Sequence, residues 1–197
     1  MIRGLTYKEN YISDHQHDWL LNKINNSVWL NDLQRRVQHY GYKYDYKARR
    51  ITKNAFISEL PLWLKKLSEM IYKDGYMPEC ADQVIINEYV PGQGISYHTD
   101  CEPCFKDTII SLSLGSGCLM NFLGKDSSIV MHWLEPKSLL VLSGEARYDW
   151  QHAILPRVSD TVDLNEPVWK GTRAGSAAAK IKRTTRISLT FRNVILQ

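Results

Sequence analysis

Cysteine is scarce in this chain: there are four among 197 residues, Cys80, Cys101, Cys104 and Cys118. Small domains stapled by disulfides need a denser set, so a disulfide scaffold is excluded. Glycine and proline number only 11 and 7, which excludes a collagen and a low-complexity chain. No apolar run approaches the ~18 residues of a membrane-spanning helix. The opening MIRGLTYKENYISDHQHDWL has no apolar stretch of the signal-peptide kind. The expectation is an intracellular chain in a reducing compartment, cytoplasmic (or nuclear in a eukaryote), with no membrane contact. A dominant charge is lacking too. The 25 Lys and Arg against 21 Asp and Glu leave +4, a surplus too small to speak for nucleic acid.

What is present is an ordinary globular composition, 44% hydrophobic and 23% charged. A chain of this length buries roughly 70% of its unfolded surface, so it folds without a metal staple. One structural domain is expected, and a monomer. Ser13 is placed to cap a helix over about 14–25, with Trp19, Leu20 and Ile24 at helical spacing. A second helix follows Leu60, with Pro61 in its first turn and Leu62, Leu64, Leu67 and Ile71 as a buried stripe. It should stop near Asp74-Gly75.

After Gln83 the pattern changes to short strand-like runs at 84–90, 94–99, 108–114, 118–123, 128–134, 138–143 and 186–194. Turn signals such as Pro91-Gly92 and Gly115-Ser116-Gly117 separate them. Many short strands at regular spacing predict a sandwich or barrel. The fold class is therefore α+β, mainly β: N-terminal helices over 1–79 packed on a jelly-roll core over 80–197. Residues 157–184 read as a long loop containing the low-complexity run AGSAAAK (174–180).

His98-Thr99-Asp100 ends one strand-like run. Residues i and i+2 of a strand share a face, so an imidazole and a carboxylate can reach one ion. His152, in the run WQHAI, is the best third ligand. Two histidines and a carboxylate leave open the coordination positions that non-haem Fe(II) oxygenases use. A lone HxD is otherwise a common surface pair. His15, His17, His39 and His132 read as surface or core residues.

Arg186-Ile187-Ser188-Leu189-Thr190-Phe191-Arg192 alternates polar and apolar strictly. Its polar face would carry two arginines inward, where an unpaired guanidinium is costly. Arginine's planar fork matches a carboxylate, and a dicarboxylate such as 2-oxoglutarate would satisfy both. The alternative is two arginines that face solvent or pair with Glu102 or Asp107. Asn87 and Tyr89 share a face of the run preceding His98.

Taken together, NEYVPGQGISYHTD (87–100), SLSLGS (111–116), SGEARYDWQHAI (143–154) and RISLTFR (186–192) resemble the AlkB family of Fe(II)/2-oxoglutarate dioxygenases. The PGQGI, SLSLGS and GEARY runs are most similar to the AlkB-like domain of tRNA wobble-uridine hydroxylases. The resemblance covers 80–195 well and the N-terminal part loosely. It implies a double-stranded β-helix core with a nucleotide-lid-like extension. It also implies Fe(II) on His98, Asp100 and His152, with 2-oxoglutarate held by Asn87, Tyr89, Arg186, Ser188 and Arg192. Ser188 departs from the founding bacterial dealkylase, which has an asparagine there. Glu102 matches the place of an acidic residue facing the target base. With O₂, the reaction implied is hydroxylation of a C–H bond; an N-methyl group so treated leaves as formaldehyde.

Residues 35–53, RRVQHYGYKYDYKARRITK, set seven basic residues against one acid, with four tyrosines alternating. Cations for phosphate and ring faces for bases suit a flipped or single-stranded nucleotide. Tyr44, Tyr46, Arg49 and Arg50 are the substrate candidates, and DNA or RNA the expected partner. Lys182 and Arg183 would extend the basic surface. The alternative for 35–53 is a solvated strand pair with tyrosines in the core.

The expected activity is oxidative demethylation of alkylated bases in DNA or RNA. The alternative within the same chemistry is hydroxylation of a modified wobble uridine in tRNA. Cys101-Glu102-Pro103-Cys104 with His98 spells H-x₂-C-x₂-C, which allows a zinc hydrolase or deaminase. A non-catalytic nucleic-acid-binding module is the remaining class.

Overall fold

The structure, a computed structural model, describes residues 2–31, 33–163, 165, 167–170 and 178–196. Helix α1 (Asp14–Asn25) starts at a capping box. The Ser13 hydroxyl accepts from the Gln16 N–H at 3.2 Å and the Gln16 side chain accepts from the Ser13 N–H at 2.8 Å. Its buried residues are Leu20 and Ile24. Helix α2 (Leu62–Lys73) follows Pro61, which caps it rather than entering its first turn. It buries Leu64, Leu67, Ser68 and Ile71. It ends where Gly75 turns to φ +80°, a left-handed conformation that favours glycine.

The strands are β1 (Leu5–Lys8), β2 (Val37–Tyr42), β3 (Phe56–Ser58), β4 (Gln83–Tyr89), β5 (Ile95–His98), β6 (Ile109–Gly115), β7 (Cys118–Gly124) and β8 (Ile129–Leu134). They continue as β9 (Leu139–Leu142), β10 (Trp150–Ile154), β11 (Ser159–Val162), β12 (Val168–Lys170), β13 (Ala179–Lys182) and β14 (Arg186–Arg192). A short helix α3 (Gly144–Tyr148) leads into β10. One antiparallel sheet runs β1-β9-β6-β14-β4-β2-β3, and a second runs β12-β8-β7-β10-β5. This is the jelly-roll architecture that the strand spacing predicts.

Alternation along the larger sheet creates two environments. Val84 and Ile86 of β4, Ile110, Leu112 and Leu114 of β6, and Ile187, Leu189 and Phe191 of β14 pack with Leu20, Ile24, Leu64 and Ile71 of the helices. The intervening residues face the second sheet. There Tyr89, Ile109, Leu140 and Leu142 meet Cys118, Met120, Phe122 and Ile154. The polar members of that inner face open onto a cavity between the sheets.

The loop expected over 157–184 is corrected. Among its described residues β11 and β13 pair from Ser159↔Lys182 to Val162↔Ala179, and β12 joins β8. Charged residues at inward positions hide these strands from a hydrophobicity reading. Asp160 and Arg183 are both buried and form a bidentate pair at 2.6 and 2.7 Å. Arg183 is therefore not part of a basic surface. Of the AGSAAAK run, residues 174–177 lie outside the described residues, and Ala179 and Lys180 belong to β13.

Candidate active site

A cavity of about 350 Å³ lies between the sheets. Strands β5 and β10 form one wall, with His98 directly opposite His152 and the ring centroids 4.4 Å apart. The strands approach closely because residue 94 is glycine: a Cβ there would stand 2.1 Å from the Ile154 carbonyl oxygen. Asp100 lies between β5 and the turn at 102–104, and its Oδ2 lies 3.8 Å from His152 Nε2. That is too long for a hydrogen bond.

His98 Nδ1 stands 2.8 Å from the Ser96 carbonyl oxygen. A carbonyl only accepts, so Nδ1 is the donor here, and in the neutral ring that tautomer presents Nε2 as the lone-pair nitrogen. Burial would raise the Asp100 carboxyl, but the Arg192 guanidinium, His152 and His98 outweigh it and hold the carboxylate form well below its ordinary range. His152 is lowered to about 3, by burial first and then by His98. Both imidazoles and the carboxylate thus offer lone pairs, the donor set of a non-haem ferrous site. Among the described residues no group of three His, Cys, Asp or Glu side chains is already drawn in to metal-ligand spacing. The donor chemistry nevertheless fits a ferrous ion.

The opposite wall carries the arginines. Arg186, 3% exposed, lies opposite Tyr89 on β4, with its guanidinium 5.7 Å from that ring, and its Nη2 donates to Ser113 Oγ at 2.8 Å. Arg192 Nη2 donates to Asp100 Oδ1 at 2.5 Å, and its guanidinium lies 4.6 Å over Phe105. Neither faces solvent, and neither pairs with Glu102 or Asp107. Among the described residues, the Nε atoms of both are buried without a hydrogen-bond partner. Two guanidinium residues lining one cavity, with a single carboxylate engaged by Arg192, suit an incoming dicarboxylate. Asn87 sits across from Ser188, and Ser188 Oγ is 2.9 Å from Ser111 Oγ. That bond keeps the serine on the cavity wall.

The structure gathers His98, Asp100, His152, Asn87, Tyr89, Arg186, Ser188 and Arg192 around this single cavity. Tyr44, Tyr46 and Arg49 also line it, Arg49 at the exposed mouth, with the two tyrosine rings 5.0 Å apart. Glu102 and Arg50 are exposed and do not line it. The turn after Asp100 points residue 102 outward. Arg35 is a lining residue not singled out among the basic strip: its Nε donates to Asn87 Oδ1 at 2.9 Å.

Cys101 and Cys104 are joined as a disulfide, across a turn closed by the Cys104 N–H on the Cys101 carbonyl. Their sulfurs lie 3.2 and 3.4 Å from the Arg49 carbonyl oxygen, beneath the mouth segment. Sulfurs bound to each other offer no thiolate, so the zinc spelling H-x₂-C-x₂-C is left without its ligands.

A family description, the 2OG-Fe(II) oxygenase superfamily, matches residues 10–192. The chain belongs to that superfamily. Its curated relatives are of AlkB type. The mouse protein named tRNA (carboxymethyluridine(34)-5-O)-methyltransferase ALKBH8 is 38% identical over 97% of this chain and 30% of its own length. A Caenorhabditis elegans protein named DNA N6-methyl adenine demethylase is 30% identical over 78% of this chain and 55% of its own. This oxygenase chain thus spans about a third to a half of the length of these relatives. The solved structure of OsALKBH1 superposes with a TM-score of 0.68 at 17% identity, covering 98% of this chain and 99% of that one, a likeness of fold.

Proposed function

We propose that this oxygenase demethylates alkylated bases in DNA or RNA, with Fe(II) on His98, Asp100 and His152. The observation that carries the reading is that the guanidinium residues Arg186 and Arg192 line the same cavity as those three donors. Arg186 would take one carboxylate of 2-oxoglutarate, backed by Tyr89. Arg192 already bridges to Asp100 and would steady the end nearer the metal.

Bound ferrous iron, 2-oxoglutarate and O₂ supply the oxidising power that hydroxylates a C–H bond, with succinate and CO₂ as co-products. The chain's own task is placement and exclusion of water. Phe105, Ile109, Met120, Leu140 and Leu142 give the cavity an apolar lining. The mouth residues Tyr44, Tyr46 and Arg49 offer ring faces and a cation to a base that has left its stack. The base is held for oxidation without any general base among these residues.

Hydroxylation of a modified wobble uridine in tRNA is the second reading, favoured by the similarity to the mouse protein over nearly the whole chain. In both readings the substrate is a nucleic acid and the chain acts as a monomer. The test incubates the protein with Fe(II), 2-oxoglutarate and ascorbate and a panel of methylated oligonucleotides and tRNA. Substrate-dependent succinate release with loss of a methyl mass supports demethylation. A gain of one oxygen on a tRNA nucleoside supports hydroxylation. Succinate release that no nucleic acid stimulates would refute both.

A further inference from the structure

One buried guanidinium is not used by the cosubstrate cavity. Arg147 of α3 is 2% exposed and is not among the lining residues. Its Nη1 donates to the Asp100 carbonyl oxygen at 2.8 Å and its Nη2 to the Cys101 carbonyl oxygen at 3.3 Å. Its guanidinium lies 4.9 Å over the Tyr148 ring, and its Nε has no hydrogen-bond partner among the described residues. The nearby carboxylate, Asp100, is engaged by Arg192.

A buried charge without a carboxylate of its own is a poor way to hold a fold together. Its removal would relieve a desolvated charge at the cost of leaving two carbonyls without this donor. The two carbonyls that Arg147 grips are instead informative. They belong to the turn that presents Asp100, whereas Arg147 itself lies five residues before His152, on the helix that runs into β10. One planar fork thus ties the carboxylate ligand's backbone to the segment that bears the second imidazole. Arg192 pulls on the Asp100 carboxylate from the opposite wall, so the turn needs a hold on its main chain that does not move with the side chain.

We infer that Arg147 is a positioning residue, which clamps the Asp100 turn to the His152 segment and so presets the spacing of the metal donors. The inference rests on the ferrous reading of the site. It predicts a defect in metal affinity that is separate from folding and from cosubstrate anchoring.

The test compares the parent with Arg147→Met and Arg147→Lys, all metal-free at the start. Mn(II), which binds without turning over, is titrated and free ion is read by electron paramagnetic resonance. Thermal unfolding of the metal-free proteins is measured in parallel. Arg147→Met should fold and lose at least about tenfold in Mn(II) affinity. Arg147→Lys, with one ammonium for two carbonyls, should lose less. A folded Arg147→Met that binds Mn(II) within threefold of the parent overturns the inference. So does failure of both variants to fold, which would make the residue part of the scaffold. A parent that binds no Mn(II) refutes the metal reading itself, an outcome distinguishable from either.

Discussion

Replacing Arg186 with methionine removes a charge while keeping most of the side-chain volume. In the metal-loaded protein this should weaken 2-oxoglutarate binding by about 30- to 150-fold. Removing one member of a buried, hydrogen-bonded charge pair costs ~2–5 kcal/mol. Arg192 stays in the cavity to meet the ligand, so the lower part of that range applies, ~2–3 kcal/mol, and each ~1.4 kcal/mol is tenfold. The fold should not suffer. Among the described residues its side chain donates to Ser113, and the guanidinium otherwise rests on Tyr89. Calorimetric titration of 2-oxoglutarate into Mn(II)-loaded protein gives the affinity, and thermal unfolding without ligand gives the control. Arg186→Lys should recover part of the affinity, because a cation remains but the fork does not. A dissociation constant within threefold of the parent, in a folded Arg186→Met protein, would show that the cosubstrate anchors elsewhere.

His98→Ala should abolish succinate release while the protein unfolds within a few degrees of the parent; residual activity within several-fold would remove it from the metal set. Asp160→Asn should cost ~3–5 kcal/mol, since it strips charge from a carboxylate paired with buried Arg183. Denaturant unfolding measures this, and a loss below 1 kcal/mol would refute the account. For pH, His152 is held down to about 3 from 6.5, so the unfolded chain takes up a proton that the folded one refuses. Metal-free stability should therefore fall as pH drops below about 6.5 towards 3. Asp100, also held low, adds a loss once its unfolded counterpart protonates, below about 3.8. His152→Gln cannot titrate and should flatten the upper part of that decline; an unchanged slope would contradict the assignment.

Much of this was legible in the residues, for specific reasons. Strict alternation in 186–192 placed both arginines on one face, and the sheet puts that face on the cavity. Ser13 and Gln16 mark the start of α1 by local hydrogen bonding, which needs no tertiary context. The strands at 159–162 and 179–182 were hidden because Asp160 occupies a buried position and its partner Arg183 lies far along the chain. Periodicity records polarity, not pairing. Glu102 lies off the cavity because a turn after Asp100, closed between residues 101 and 104, rotates it outward, which its place in the sequence alone does not reveal. Arg147 gave no signal, since a helix of five residues is too short to show a face.

Strand β14 is a party wall: the same seven residues turn polar side chains to the cavity on one side and bear the weight of both helices on the other. Inserting or deleting one residue within it would exchange the two sides, sending guanidiniums into the oily layer and Leu189 and Phe191 into the reaction chamber. Chemistry and architecture at this strand can change only by substitution in place. On the proposed reading, variation in substrate would be left to the mouth segment around Tyr44–Arg49, which the wall does not constrain.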